Sequence, residues 1–259
     1  MDLGLTGRRA LVTGSSSGLG EAIVRLLAAE GADVVVHGRD EDRARKVARD
    51  IGAAAVAIGD LATDGGADAV AEGAGAVDIL VNNAGAYDHA DWADATPEVW
   101  MRTYEINVVS GVRMIRRLVP GMRERGWGRV IQIGGGLASQ PTALLPHYNA
   151  TLAARHNLAV SLARELKDTG VTSNVVSPGA VLVDSVERLL TGMAAEREWG
   201  ESWEEIERNA ARDFVPNDTG RFGRPEEIAG AVAYLASRYG DYVSGATLRV
   251  DGGTIRSVN

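Results

Sequence analysis

Cysteine is absent from the chain, which excludes disulfides and thiolate metal sites and leaves the compartment open. Histidine is scarce: His37, His89, His147 and His156 are scattered without metal-ligand spacing, so no metal is expected. Positive charge is in the minority, with 27 Lys and Arg against 35 Asp and Glu and a formal net charge of -8. An acidic chain repels phosphate backbones, which argues against nucleic acid as a partner. Without a polybasic run, nothing recruits an anionic membrane surface. No stretch reaches the ~18 apolar residues that a membrane span needs, and no targeting segment precedes the first apolar run at 9–13. A soluble, cytoplasmic protein is therefore expected. Linkers, repeats and low-complexity segments are also missing, so residues 1–259 read as one domain. The hydrophobic fraction of 45% suffices for its core.

What is present alternates. Residues 10–13, 33–37, 54–58, 78–81, 128–133, 171–176 and 245–250 read as strands, the second carried by the β-branched run Val34, Val35 and Val36. Residues 18–30, stopped by Gly31, and 41–50 read as helices. So does one long stretch at 97–125, with Thr96 as cap, Pro97 in the first turn and Pro120 as a possible kink. Another helix spans 147–169, with Gly170 as its stop. Seven continuously apolar strands alternating with helices imply a doubly wound parallel sheet with helices on both faces. Residues 184–222 break the rhythm, with Leu189, Leu190, Met193, Trp199, Trp203 and Phe214 set among many charges. Two short helices are expected there. They form either a cap on the sheet edge or a mobile lid over a substrate pocket beyond the carboxyl ends of the strands.

The first strand–helix junction reads Thr13-Gly14-Ser15-Ser16-Ser17-Gly18-Leu19-Gly20. Gly14 permits a tight turn, Gly18 lets the backbone approach a pyrophosphate, and Gly20 lets helix and strand pack closely. The helix N-terminus then offers free N–H groups to the phosphates. The spacing Gly-x3-Gly-x-Gly resembles the first motif of the short-chain dehydrogenase/reductase family. Asp60-Leu61, Asn82-Asn83-Ala84-Gly85, Asn107, Pro178-Gly179, Gly223-x-Pro225-Glu226-Glu227-Ile228 and Asp251-Gly252-Gly253 match further family motifs in order. The resemblance covers nearly the whole chain. It implies a Rossmann fold and a nicotinamide cofactor held by Gly14, Ser16, Ser17, Gly18, Leu19, Gly20, Arg39, Asp60, Leu61, Asn83, Ala84, Gly85, Tyr148, Pro178, Gly179 and Val181. It also implies a homotetramer or homodimer, built on the helices around 97–125 and 148–169 and on the last strand.

The end of the second strand selects the cofactor. A carboxylate there would accept from the ribose 2′-OH of NAD and repel a 2′-phosphate. Gly38 stands at that position and Arg39 follows, able to fork onto a phosphate, so NADP(H) is expected over NAD(H). The alternative is a solvated Arg39 with Asp40 competing for the ribose. His37 either adds a contact or simply packs.

For the catalytic positions the resemblance implies a Tyr as proton donor or acceptor, a Lys four residues on, a Ser on the loop after the fifth strand, and an Asn on the preceding helix. Tyr148 and Asn107 fit. Leu152 falls at the lysine position, Gly135 at the serine position, and Val183 where a Thr would hold the carboxamide. Two substitutes are open: Arg155, seven residues past Tyr148 on roughly the same helix face, and Ser139, four residues past Gly135. The run Gly134-Gly135-Gly136 could also present backbone N–H groups to a substrate oxygen. His147 points off the face that Tyr148 occupies. Two readings follow. One is an NADP(H)-dependent oxidoreductase acting on a carbonyl, quinone or enone small molecule with altered chemistry. The other is a non-catalytic NADP(H) binder, a sensor or a supporting subunit.

Overall fold

The β-branched runs become the interior of a seven-stranded sheet because their side chains fill both of its faces. In the computed structural model, which describes residues 2–257, the strands are β1 (Arg9–Val12), β2 (Asp33–Gly38), β3 (Ala55–Ile58), β4 (Ile79–Asn82), β5 (Gly128–Ile133), β6 (Val171–Pro178) and β7 (Thr247–Val250). All pairs are parallel, in the order β3-β2-β1-β4-β5-β6-β7. Leu11 pairs with Val35 on one side and Leu80 on the other. The order reverses between β1 and β4, so the crevice for a ligand opens at their carboxyl ends.

The helices are α1 (Gly18–Ala29), α2 (Glu41–Ile51), α3 (Asp64–Ala74), α4 (Pro97–Tyr104), α5 (Ser110–Glu124), α6 (Pro146–Glu165), α7 (Asp184–Met193), α8 (Trp203–Asp213) and α9 (Pro225–Ala236). One core layer joins Val12, Val34, Val36 and Ile131 to Ile23, Leu27, Ile228 and Val232 of α1 and α9. The opposite layer joins Leu11, Val35, Leu80 and Val130 to Val70, Met114 and Met122 of α3 and α5. Each such aliphatic side chain, fully buried, contributes about 1.5–3 kcal/mol. No helix among the described residues is long and apolar enough to cross a membrane.

The sequence pattern and the structure part at four places, one of them α9, which is missing from the expected elements. Helix α3 has no counterpart in the expected elements: Gly65, Gly66 and Gly73 dilute its propensity. It forms because Thr63 caps it, accepting from Gly66 N–H at 3.0 Å, and because Ala67, Val70 and Ala74 are buried. The long stretch at 97–125 is continuous in path but is broken by a π-helical turn, Glu105–Val109. Pro120 does not interrupt α5; it is exposed, so the carbonyl it orphans can face water. The helix after Leu145 ends at Glu165 rather than 169.

Residues 184–222 do form two short helices, α7 and α8. They enclose a core of their own made by Leu190, Trp199, Ile206, Ala210 and Phe222. The excursion is closed at its base, where Val181 and Gly223 form a parallel bridge and Leu182 N–H donates to Gly223 O at 2.9 Å.

Candidate active site

The phosphate-loop residues take the shape their glycines permit. Gly14 and Gly18 lie at φ 66° and 57°, and a Cβ on Gly20 would come within 2.4 Å of the Gly14 carbonyl. Ser17 caps α1 with extended backbone and no side-chain bond, so the first N–H groups of the helix face the crevice. Thr13 and Asn83 stitch β1 to β4. The Thr13 hydroxyl accepts from Asn83 N–H at 3.0 Å and from Ala84 N–H at 2.9 Å, and Asn83 Nδ2 donates to Thr13 O at 2.8 Å.

His37 lies beneath the loop. Its Nδ1 accepts from Gly14 N–H at 2.8 Å, and its Nε2 pairs with Gly59 O at 3.2 Å, which fixes the proton on Nε2. Burial, the largest cause, pushes its pKa from 6.5 to about 4, so the ring stays neutral. His37 therefore works as a strut that holds the loop against the ends of β2 and β3.

At the end of β2, a Cβ on Gly38 would meet Ser16 Oγ at 2.8 Å, so an aspartate there would displace Ser16. Arg39 is exposed, lines the cleft and makes no hydrogen bond or ion pair among the described residues. Asp40 is engaged elsewhere: it caps α2 by accepting from Arg43 N–H at 3.1 Å.

These residues border a cleft of about 870 Å³, large enough for a dinucleotide and a small molecule together. All sixteen positions expected to hold a cofactor line it, from Gly14 to Val181, together with Asn107, Arg155, Leu152, Gly135 and Val183. Ser139 is the exception. It is exposed at the end of a 3-10 turn (Gly136–Ala138) and outside the lining, because that turn directs residue 139 outward. The cleft also takes in Tyr87, Gln140, Thr142, Val186, Phe214, Val215 and Ile255. These lie on loops and on the excursion, where no spacing rule points to them.

Tyr148, in the first turn of α6, is half-buried, with its ring 5.3 Å from that of Tyr87. No protein group bonds its hydroxyl among the described residues. Burial raises its pKa above the ordinary 10 and the Arg155 charge partly opposes this, so the phenol is protonated at neutral pH. Asn107 sits in the π turn, which rotates its side chain onto the loop after β4. Its Oδ1 accepts from Ala86 N–H at 2.8 Å, and its Nδ2 donates to Ala86 O at 2.9 Å and to Thr151 Oγ1 at 3.0 Å. Leu152 and Gly135 face each other: a Cβ on Gly135 would lie 3.0 Å from Leu152 Cδ1. Arg155 is buried, and its guanidinium donates to the carbonyls of Asn107, Ile133 and Ala84. His147 is buried on the other side of the helix, edge-on to Trp100 at 6.3 Å.

A doubly wound parallel sheet, a glycine-rich turn at its switch point and a phenol facing the same cleft define a dinucleotide-binding oxidoreductase scaffold. The short chain dehydrogenase family profile matches residues 8–193. The chain is 39% identical to the uncharacterized oxidoreductase YvaG of Bacillus subtilis (strain 168), over 267 residues and all of both chains. Among solved structures, it resembles L-sorbose reductase from Gluconobacter frateurii complexed with NADPH and L-sorbose, with 35% identity, a TM-score of 0.92 and full coverage of both chains. It also resembles an NADPH-bound short chain oxidoreductase from Pseudomonas aeruginosa PAO1 described as containing an atypical catalytic center. There the identity is 30%, the TM-score 0.88 and the coverage 98% of each chain. The chain belongs to the short-chain dehydrogenase/reductase family.

Proposed function

We propose that this protein is an NADP(H)-dependent oxidoreductase acting on a carbonyl, quinone or enone small molecule through an altered active site. The observation that carries the proposal is one cleft joining a dinucleotide cradle to a phenol whose hydroxyl no protein group engages among the described residues. The cradle fits the cofactor. Ser16, Ser17, Gly18, Leu19 and Gly20 would offer backbone N–H groups to the pyrophosphate around the tight turn that Gly14 makes, and Asp60 and Leu61 would border the adenine. Asn83, Ala84, Gly85, Pro178, Gly179 and Val181 line the same cleft and would hold the nicotinamide end. Arg39, unpaired among the described residues and beside the space that a Gly38 side chain would fill, suits a 2′-phosphate. The bound cofactor would supply or accept a hydride at the substrate carbon.

In this reading Tyr148 is the catalytic residue. As a neutral phenol it donates its proton to the substrate oxygen, and in the reverse direction the tyrosinate takes that proton back. Asn107 positions the loop after β4 against α6. Leu152 and Gly135 stand where the family's lysine and serine are expected, so those two positions supply neither an ammonium nor a hydroxyl. A substrate whose product anion is already delocalised, such as a quinone or enone, needs least help. The excursion at 184–222 is proposed as the substrate lid, since Val186, Phe214 and Val215 reach the cleft from it. Exposed Met101 and Tyr104 on α4 and Val160 on α6 support a second copy packed on that face. A cytoplasmic location completes the proposal.

The test is NADPH and NADH titration followed by turnover with carbonyls, quinones and enones. NADPH is expected to bind more tightly. Arg39→Ala should cost about 1.5–3 kcal/mol of NADPH binding and leave NADH nearly unchanged, and Tyr148→Phe should abolish turnover. Equal affinity for both cofactors would remove the NADP(H) assignment. The second reading, a non-catalytic NADP(H) binder, is favoured by the apolar Leu152–Gly135 contact. Tight NADPH binding without turnover on any panel member would establish it.

A further inference from the structure

Arg155 carries a buried positive charge with 5% of its surface exposed. No carboxylate pairs with it among the described residues. Its partners are main-chain carbonyls: Asn107 O accepts from Nε, Ile133 O from Nη1 at 2.7 Å and Ala84 O from Nη2. A buried cation without a counter-ion is costly unless the site uses it. Burial lowers its pKa to about 10, which still leaves it charged at neutral pH.

The three carbonyls belong to three elements that meet at the cleft: the π turn, the end of β5 and the exit of β4. A planar guanidinium with five donors can hold all three at fixed angles, which a compact ammonium cannot. Gly85 leaves the necessary room, since a Cβ there would lie 3.2 Å from Asn107 Oδ1 and 3.4 Å from Arg155 Nη2. Helical side chains lean toward the N-terminus, so an arginine about two turns past Tyr148 carries its charge back toward the phenol. Leu152, one turn past Tyr148, brings no charge.

We propose that Arg155 is the positioning residue and fixed cation of this active site, holding the Asn107 carbonyl and facing Tyr148 with a positive charge that Leu152 does not provide. The inference rests on the reading of Tyr148 as the proton-transfer residue. The titratable groups that face Tyr148 are Arg155 from its own helix and Tyr87 from the loop after β4. Burial and Tyr87 raise the phenol, and Arg155 pulls it down. When the Tyr148 O–H bond breaks and its proton bonds to the substrate oxygen, the tyrosinate left behind faces Arg155 until solvent returns a proton. The arginine thus favours the form of Tyr148 that exists only after proton transfer.

Incorporation of 3-fluorotyrosine lowers the phenol pKa values and gives each of the six tyrosines a fluorine signal, with Tyr148→Phe assigning the one from Tyr148. In the ligand-free protein, Arg155→Met is expected to move the Tyr148 titration up by about one pH unit or more. Arg155→Lys should move it by no more than Arg155→Met does, because a buried ammonium loses its proton more readily than a guanidinium. NADPH-dependent turnover should fall about tenfold or more in Arg155→Met, as a pH unit of lost stabilisation requires, and recover in part in Arg155→Lys. Arg155→Gln, which can still donate to a carbonyl, replaces Arg155→Met if that variant does not fold. An unmoved titration in a folded neutral variant overturns the proposal. The fluorine titration needs no turnover, so it reads the coupling even if Tyr148→Phe keeps full activity. That last result would instead remove Tyr148 from the reaction.

Discussion

At the scale of single residues, the Gly135–Leu152 contact couples two positions that the sequence separates by seventeen. A serine Cβ at 135 would press on Leu152 Cδ1 at 3.0 Å, tighter than ordinary contact. Gly135→Ser alone is therefore expected to lower stability, by about 1–3 kcal/mol for an overpacked site. Leu152→Lys removes the branched end and relieves that pressure. It also places an ammonium one turn from Tyr148. The double variant should be more stable than the sum of the single changes predicts, and it should raise carbonyl reduction, since acid–base catalysis contributes roughly 10²–10⁴-fold. Val183 stands where the family resemblance places a Thr, and its lack of a hydroxyl is expected to limit the gain. Urea melts of all three variants and NADPH turnover on a carbonyl panel check both halves. Additive stabilities and no gain in rate would mean that the two positions do not share a site.

At the scale of elements, α7 and α8 form a unit held by its own core and closed by the Val181–Gly223 bridge. Trp199 is central to it: 1% exposed, bonded through Nε1 to Asp213 Oδ2 at 3.2 Å, and 6.4 Å from the Phe214 ring that reaches the cleft. Removing a buried tryptophan costs about 3–5 kcal/mol where the surroundings cannot collapse. Here that cost falls on the excursion's own core rather than on the sheet. Trp199→Ala is expected to speed amide hydrogen exchange across 184–222 and raise KM, while the NADPH dissociation constant stays near the parent value. Loosening of the whole sheet, or loss of NADPH binding with substrate binding intact, would show that the excursion is no separate lid.

At the scale of the whole molecule, His37 ties global stability to pH. Its folded pKa lies near 4 against 6.5 when unfolded, lowered by burial and by Arg39, and raised in part by the Gly59 carbonyl and Asp60. The unfolded chain therefore binds the proton first. The contribution is complete above pH 6.5, declines as pH falls and is lost below about 4. Between pH 7 and pH 5 the loss amounts to about 2 kcal/mol. His37→Gln keeps a hydrogen-bonding side chain and does not titrate, so its stability should fall less over that interval. Urea midpoints at the two pH values, compared between parent and variant, measure the difference. Equal slopes would show that His37 is not the group responsible.

The sequence by itself determined the sheet, its seven strands, the phosphate loop and the family, because hydrophobic period, β-branching and glycine spacing are local signals. It also located Tyr148, Asn107, Leu152 and Gly135. Only the tertiary structure decided what holds them. Helix α3 was hidden by its glycines and forms through a cap and a buried face. The π turn that rotates Asn107 onto the loop after β4 leaves no mark in residue spacing. Ser139 and Arg155 looked alike as substitutes, but a 3-10 turn sends one into solvent while three convergent carbonyls hold the other under the cleft. Those carbonyls come from residues 84, 107 and 133. Sequence order cannot bring them together; the parallel sheet does, by ending its strands at one edge.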